Sequence, residues 1–231
     1  GAARVATTGN IKDAAEPLAA DETTLEGLTT TVDGRPLWVA ASTHPGEEIA
    51  AAQVHQDLID RYPDLLTIIV PRHPERGTDI QRDIVGLGLT ASRRSGGDAL
   101  DAATAIYIAD TLGELGLWYR LAPVVFVGKS LKGTGGQNPL EPARLNCALI
   151  FGPSMANFEQ ISEDLLSCGA ARRVADQAGL CADLADLLGD HEMRQKMARA
   201  GRDYCVAGGE ALAKTMTYLE PLFVAVEARH D

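Results

Sequence analysis

The chain is expected to fold as an α/β domain: a doubly wound parallel sheet with helices on both faces, followed by C-terminal helices. Three observations predict it. Short apolar runs alternate with stretches of helical periodicity, the pattern of strand–helix units. The runs are nearly continuous in apolar residues, as in strands covered on both faces. The polar and glycine-bearing clusters follow the strands directly, where a doubly wound sheet binds its ligands.

Residues 1–34 read as a connector and a short packed N-terminal segment, punctuated by Pro17, Gly27 and Gly34. Residues 35–231 read as one α/β domain with its C-terminal helices, the part to which the binding motifs below belong. Strands are expected at Leu37–Ser42, Leu65–Val70, Leu89–Ser92, Ala105–Ala109, Val124–Val127, Ala148–Phe151 and Ala171–Val174. Helical periodicity fills Glu47–Arg61, Asp79–Leu87, Gly113–Leu121, Pro139–Leu145 and Phe158–Cys168. Three more helices are expected at the end, over Gln177–Leu188, Glu192–Val206 and Glu210–Val226.

Bulk properties exclude several classes. The 231 residues are 45% hydrophobic and 23% charged, ordinary for a globular chain. A net charge of −11 argues against non-specific nucleic-acid binding and against simple adhesion to anionic lipid. The four cysteines, Cys147, Cys168, Cys181 and Cys205, have no CxxC spacing and read as reduced thiols. No run of about 18 apolar residues is present to span a membrane. No signal peptide is evident, and the start at Gly1 reads as a fragment or a processed product. No Gly-x-Ser-x-Gly elbow, transition-metal spacing or dinucleotide fingerprint is found; Gly86-Leu-Gly88 lies at a helix end instead.

The richest stretch is Val124-Val-Phe-Val-Gly-Lys-Ser-Leu-Lys-Gly-Thr-Gly-Gly-Gln-Asn-Pro-Leu-Glu-Pro-Ala143. It reads as a strand, a glycine-rich loop and a helix start. Gly133, Gly135 and Gly136 let backbone N–H groups approach a ligand. Asn138 suits an N-cap and Pro139 the first helical turn. A helix N-terminus is a ready anion site, and Glu141 on its rim can accept hydrogen bonds from a ribose diol. Arg72, at the end of an apolar strand, offers a planar donor fork that fits phosphate oxygens. The alternative for Arg72 is a surface ion pair with Glu75 or Glu48. Leu112-Gly113-Glu114 opens a helix after Asp110-Thr111, which can cap it; Glu114 can equally be a first-turn acid facing the dipole. Ser42, Thr43 and His44 form a strand-to-helix turn able to hold a phosphate or carboxylate. Ser42 can equally cap the helix led by Glu47 and Glu48.

With these residues in view, the chain resembles the bacterial Kdo (3-deoxy-D-manno-octulosonic acid) transferases, in the C-terminal half of the GT-B glycosyltransferase fold. The resemblance rests on the glycine loop together with Thr8-Gly-Asn-Ile-Lys12, Ser42-Thr-His-Pro-Gly-Glu-Glu48, Pro71-Arg-His-Pro-Glu-Arg76 and Asp110-Thr-Leu-Gly-Glu-Leu115, in order over nearly the whole chain. It implies a Rossmann-like donor-binding domain that takes CMP-Kdo, in an enzyme that adds Kdo to lipid A precursor. It implies CMP contacts at Pro71, Arg72, Leu112, Gly113, Glu114, Asn138, Pro139, Leu140 and Glu141. Ser42, Thr43, His44, Ser130, Lys132, Gly135, Gly136 and Gln137 are further candidates for the donor phosphate or the Kdo carboxylate. Leu112 stands where many relatives have Met, Gln137 where His is common, and Lys129 where Gly is frequent.

The resemblance also implies inverting transfer without a metal or other cofactor. It places the catalytic base, a glutamate, in an N-terminal domain that also carries the lipid A acceptor site; no catalytic residue is expected in this chain. The parent enzyme would lie at the cytoplasmic face of the inner membrane. In this fold the last helix crosses back onto the N-terminal domain, so Leu212, Met216, Leu219, Leu222 and Phe223 form a face for self-association. Two other readings compete. Another GT-B transferase or epimerase would prefer uridine to cytidine, and a nucleotide-binding module without catalysis would gain no activity from an added N-terminal half.

Overall fold

The computed structural model describes residues 15–227, without the side chains of 209–213 and 221–227. The Thr8–Lys12 stretch lies outside the described residues. In chain order the elements are α1 (Glu22–Val32), β1 (Leu37–Thr43), α2 (Glu47–Leu58), β2 (Leu66–Pro71), α3 (Gly77–Gly86), β3 (Ala91–Arg93), β4 (Ile106–Ile108), α4 (Leu115–Leu121) and β5 (Val124–Val127). Then follow α5 (Leu140–Arg144), β6 (Ala148–Phe151), α6 (Glu159–Ser167), β7 (Ala171–Arg173), α7 (Gln177–Gly189) and α8 (His191–Glu227).

The seven strands form one parallel sheet in the order β3-β4-β2-β1-β5-β6-β7. The five inner strands are buried on both faces because they are largely apolar on both, while the edge strands β3 and β7 carry arginines and are partly exposed. In β1, Leu37, Val39 and Ala41 point into one core and Trp38 and Ala40 into the other. Period-two alternation sends neighbours to opposite faces. The first core takes Leu117 and Trp118 from α4, Leu140 from α5 and Leu165 from α6. The second takes Ala51 and Val54 from α2, Ile80 and Ile84 from α3, and Leu180 and Leu184 from α7. Helices therefore cover both faces, as the sequence predicts.

One polar group sits inside the second core. His55 of α2 is 1% exposed, with its Nδ1 3.0 Å from Thr67 Oγ1. Trp38 Nε1 donates to the same hydroxyl at 2.8 Å, leaving the Thr67 proton for a neutral imidazole. Burial is the main reason that the His55 pKa falls to about 4, with the charge of Arg35 adding to it.

Strand order reverses about β1, which pairs with β2 on one side and β5 on the other. In open α/β sheets the ligand crevice lies outside the carboxyl ends of the strands at such a switch point. The chain is irregular there. Register between β1 and β2 shifts from Ala41 to Thr43, and Ser42 takes a left-handed φ of 52°. A non-glycine residue held in that region is strained and marks a place where the fold dictates geometry. Gly128, at the end of β5, packs against this kink. A Cβ on it would stand 2.4 Å from the Ser42 carbonyl oxygen, so only glycine fits.

Several boundaries differ from the sequence expectation. The third strand lies at Ala91–Arg93 rather than Leu89–Ser92, because the hydrogen-bonded register with β4 runs from Ala91 to Arg93. The last two expected helices are one, α8, of 37 residues. The pair Gly208-Gly209 does not break it: a helical glycine costs about 1 kcal/mol but removes no hydrogen bond. On α8, Met216, Tyr218 and Leu219 are exposed. The side chains of Leu212, Leu222 and Phe223 lie outside the described ones. The segment before β1 is packed. Leu18, Leu25 and Leu28 lie against the first core, and Arg120 Nη1 donates to the Leu18 carbonyl at 2.6 Å.

Candidate nucleotide site

The carboxyl ends of β1, β2 and β4 open onto a cavity of about 280 Å³. Ser42, Pro71, Arg72, Leu112, Gly113 and Glu141 line it, so four separate motifs converge on one place. Leu18 and Ala19 close one side. Sequence reasoning did not find these two, because nothing in a connector marks which residues return to the sheet. They dock at Gly116 of α4, where a Cβ would stand 2.2 Å from the Ala19 carbonyl oxygen. A larger cavity of about 420 Å³ lies at the opposite edge of the sheet, between Pro123, Asn146 and the arginines of α8. It shares no residue with these motifs.

Arg72 is exposed and makes no side-chain hydrogen bond or ion pair among the described residues. Only its backbone is engaged, N–H to the Thr43 carbonyl at 3.0 Å. Of the two partners considered for it, Glu75 lies beside His73 and Glu48 binds Arg76. The fork of Arg72 is therefore available to an anion. Across the cavity, Glu141 has a raised pKa, mainly from burial; the Asn138 hydrogen bond, Arg144 and Arg72 work against that rise. Leu112 is 81% exposed on the rim, an uncovered apolar side chain suited to lie against a base or sugar.

Glu114 is held internally. Arg94 Nε and Nη2 donate to its two oxygens at 2.6 and 2.5 Å, and Thr111 Oγ1 donates as well. These bonds hold its pKa below the usual carboxylate value. The geometry gives Glu114 the part of a brace for the loop that carries Leu112 and Gly113. Asp110 does not cap the helix. It is 4% exposed and accepts from the Ser95 N–H at 2.8 Å, the Ser95 hydroxyl at 2.6 Å and Arg93. The helix begins at Leu115, and Gly113 before it has a φ of 81°.

The glycine loop also departs from expectation. The N–H groups of Lys129, Ser130, Leu131 and Lys132 do not face a ligand; they donate to the buried carboxylate of Glu47. Those of Gly135, Gly136 and Gln137 go to Ser154 Oγ and to the Lys129 and Gly128 carbonyls. Gly135 and Gly136 take left-handed φ values of 101° and 68°, which favour glycine, and a Cβ on them would also crowd the side chains of Asn157 and Met155. The Ser130 hydroxyl is fully buried, donating to the Val127 carbonyl and accepting from the Gly152 N–H. Thr43 Oγ1, also buried, donates to Glu48 at 3.1 Å. Lys132 is exposed beside Gly46.

Nor does Ser42 cap α2: Gly46 holds the N-cap position. His44 and Gln137 meet through their side-chain nitrogens at 3.1 Å, with His73 edge-on to His44 at 5.8 Å. Burial leads the lowering of the His44 pKa. Asn138 accepts from the Leu140 N–H at 3.1 Å and donates to Glu141 Oε1 at 3.2 Å, while Pro139 takes the N-cap position. Leu140 is buried, and with Asn138 it borders a second cavity, of about 440 Å³, towards Phe158. The short α4 and α5, of seven and five residues, weaken the expected helix-dipole contribution and leave Arg72 as the main positive group.

A parallel sheet whose switch-point loops gather an unpaired arginine, a half-buried carboxylate and an exposed leucine has the architecture of the C-terminal half of the GT-B class. The fold is shared with a putative UDP-N-acetylglucosamine 2-epimerase from Listeria monocytogenes, at a TM-score of 0.60 and 16% identity, over 93% of this chain and 53% of that one. A stronger likeness is to the C-terminal CMP-Kdo binding domain of WaaA from Acinetobacter baumannii. There the TM-score is 0.73 at 30% identity, covering 79% of this chain and 98% of that domain. The 3-deoxy-D-manno-octulosonic acid transferase of Haemophilus influenzae is 34% identical over 188 residues, 81% of this chain and 44% of its own length. That of Rickettsia felis is 36% identical over 180 residues, 78% of this chain and 39% of its own length. No protein-family model matches the chain. The chain belongs to the Kdo transferase family and spans less than half the length of these curated relatives.

Proposed function

We propose that this chain is the donor-binding part of a Kdo transferase and that its cavity holds the CMP of CMP-Kdo. The observation that carries the reading is Arg72, unpaired and facing Glu141 across one cavity at the carboxyl edge of the sheet. Arg72 meets the phosphate with two parallel hydrogen bonds, Glu141 accepts from ribose hydroxyls, and Leu112 covers an apolar face of the ligand. As the sugar leaves, charge grows on the CMP phosphate. A fixed cation aimed at that position stabilises the transition state more than the ground state. CMP departs already charged, so its release needs no proton donor, and the reading expects no metal dependence.

The acceptor is lipid A precursor, and the base that deprotonates its hydroxyl comes from the part of the relatives that this chain does not span. The enzyme would work at the cytoplasmic face of the inner membrane; no described helix is long and apolar enough to cross it. Amide chemical shifts recorded with CMP-Kdo and lipid A precursor test both halves. Shifts are expected near residues 42–44, 72–73, 111–114 and 138–141, with no release of CMP. Shifts confined to the loops before β5 and β6, or sugar transfer by this chain unaided, would contradict the reading.

A further inference from the structure

We infer that Glu47 and Glu48, neighbours in the first turn of α2, are positioning residues that hold the two loops flanking the donor site. Each is 1% exposed, and each faces a different loop. Glu47 Oε1 accepts from the N–H groups of Ser130 and Leu131 at 3.0 Å and of Lys132 at 3.3 Å. Its Oε2 accepts from Lys129 at 2.7 Å and from His44 at 2.9 Å. Glu48 takes the other side. Arg76 Nη1 and Nη2 donate to it at 2.6 and 3.3 Å, and the Thr43 hydroxyl donates to it from the end of β1.

The physics explains why two acids are buried side by side. An isolated buried carboxylate is strongly unfavourable, so each must gather compensating donors. Successive N–H groups in a turn make a concave anion nest. The nest at Lys129–Lys132 is filled by the protein's own Glu47, so a donor phosphate does not enter it and is left to Arg72. Filling the nest also fixes Lys129 at a left-handed φ of 58° and ties the β5 loop to the turn carrying Ser42 and His44. Glu48, through Arg76, fixes the stretch after β2 that begins with Arg72. A site held this way is set before the ligand arrives, which lowers the ordering cost of binding.

The inference rests on the reading of the cavity as a nucleotide site, and the test separates the two. Glu47→Gln and Glu48→Gln are compared with the unaltered chain in CMP titrations, at a temperature where each is fully folded. Amide exchange at 129–132 is followed in parallel. Glu47→Gln is expected to weaken CMP binding on the order of tenfold or more, the size seen when a supporting partner is lost. Exchange at 129–132 is expected to rise, while β6 and α7 stay protected. Glu47→Asp should recover part of the affinity, and it carries the test if Glu47→Gln does not fold. A lowered melting temperature with CMP affinity within twofold in both Gln variants would mean bulk stability only and would overturn the inference. If the unaltered chain binds no CMP, the functional reading fails. Raised exchange at 129–132 would then still support the clamp, and unchanged exchange would overturn it.

Discussion

Replacing Arg72 with alanine is expected to weaken CMP binding about 10- to 150-fold, the equivalent of the ~1.5–3 kcal/mol that hydrogen bonds to a charged group contribute. The melting temperature should hardly change. The side chain is exposed and bonds to nothing else in the described protein, and its backbone N–H to Thr43 survives the substitution. Surface changes of that kind fall within about 0.5 kcal/mol. Arg76, four residues on, is the contrast. Its removal strands the buried carboxylate of Glu48, and breaking such a pair costs about 3–5 kcal/mol. Calorimetric titration with thermal melts of the Arg72 variant checks the point. A variant that binds CMP as well as the parent, or that melts well below it, would remove Arg72 from the site.

The second large effect is on stability in acid. His55 titrates near 6.5 when unfolded and at about 4 when folded. The unfolded chain therefore takes up the proton first as pH falls. His55 costs the protein nothing above pH 6.5, and its penalty grows from there down to pH 4. By then the loss is about 3 kcal/mol. Glu141 works the other way, since a carboxyl with a raised pKa destabilises the fold at neutral pH and less so in acid. The comparison of His55→Gln with the parent isolates the histidine. Urea unfolding at pH 7.5, 5.5 and 4.5 should show the variant losing markedly less stability over that interval. Equal slopes in both would mean that the Trp38–Thr67–His55 group is not held neutral.

The sheet was legible because its inner strands are largely apolar and the helices between them carry periodic apolar faces. Both patterns follow from burial on two faces, and burial is local information. The convergence of Pro71-Arg72, Leu112-Gly113 and Glu141 was legible for a related reason. Parallel strands deliver every following loop to the same edge, so residues after strands meet whatever the helices do. What stayed hidden was the internal pairing among those loops. Glu114 lies 20 residues from Arg94, and Glu47 lies more than 80 from Ser130. Two acids opening a helix fit a helix dipole as well as they fit a loop clamp, and sequence spacing does not separate these. From the sequence alone, the glycines of the loop fit room for a ligand. The structure shows Gly135 and Gly136 making room for Asn157 and Met155 instead. The place of Leu18 and Ala19 was hidden because it depends on a contact with Gly116 that no periodicity records.

The central claim is that this cavity recognises the cytidine nucleotide of a Kdo donor. Calorimetric titration of the chain with CMP, against UMP, GMP and AMP under the same conditions, tests it most directly. Selective binding of CMP, lost in Glu141→Ala as well as Arg72→Ala, is the expected result. Preference for UMP, or CMP binding that both substitutions leave intact, would contradict it.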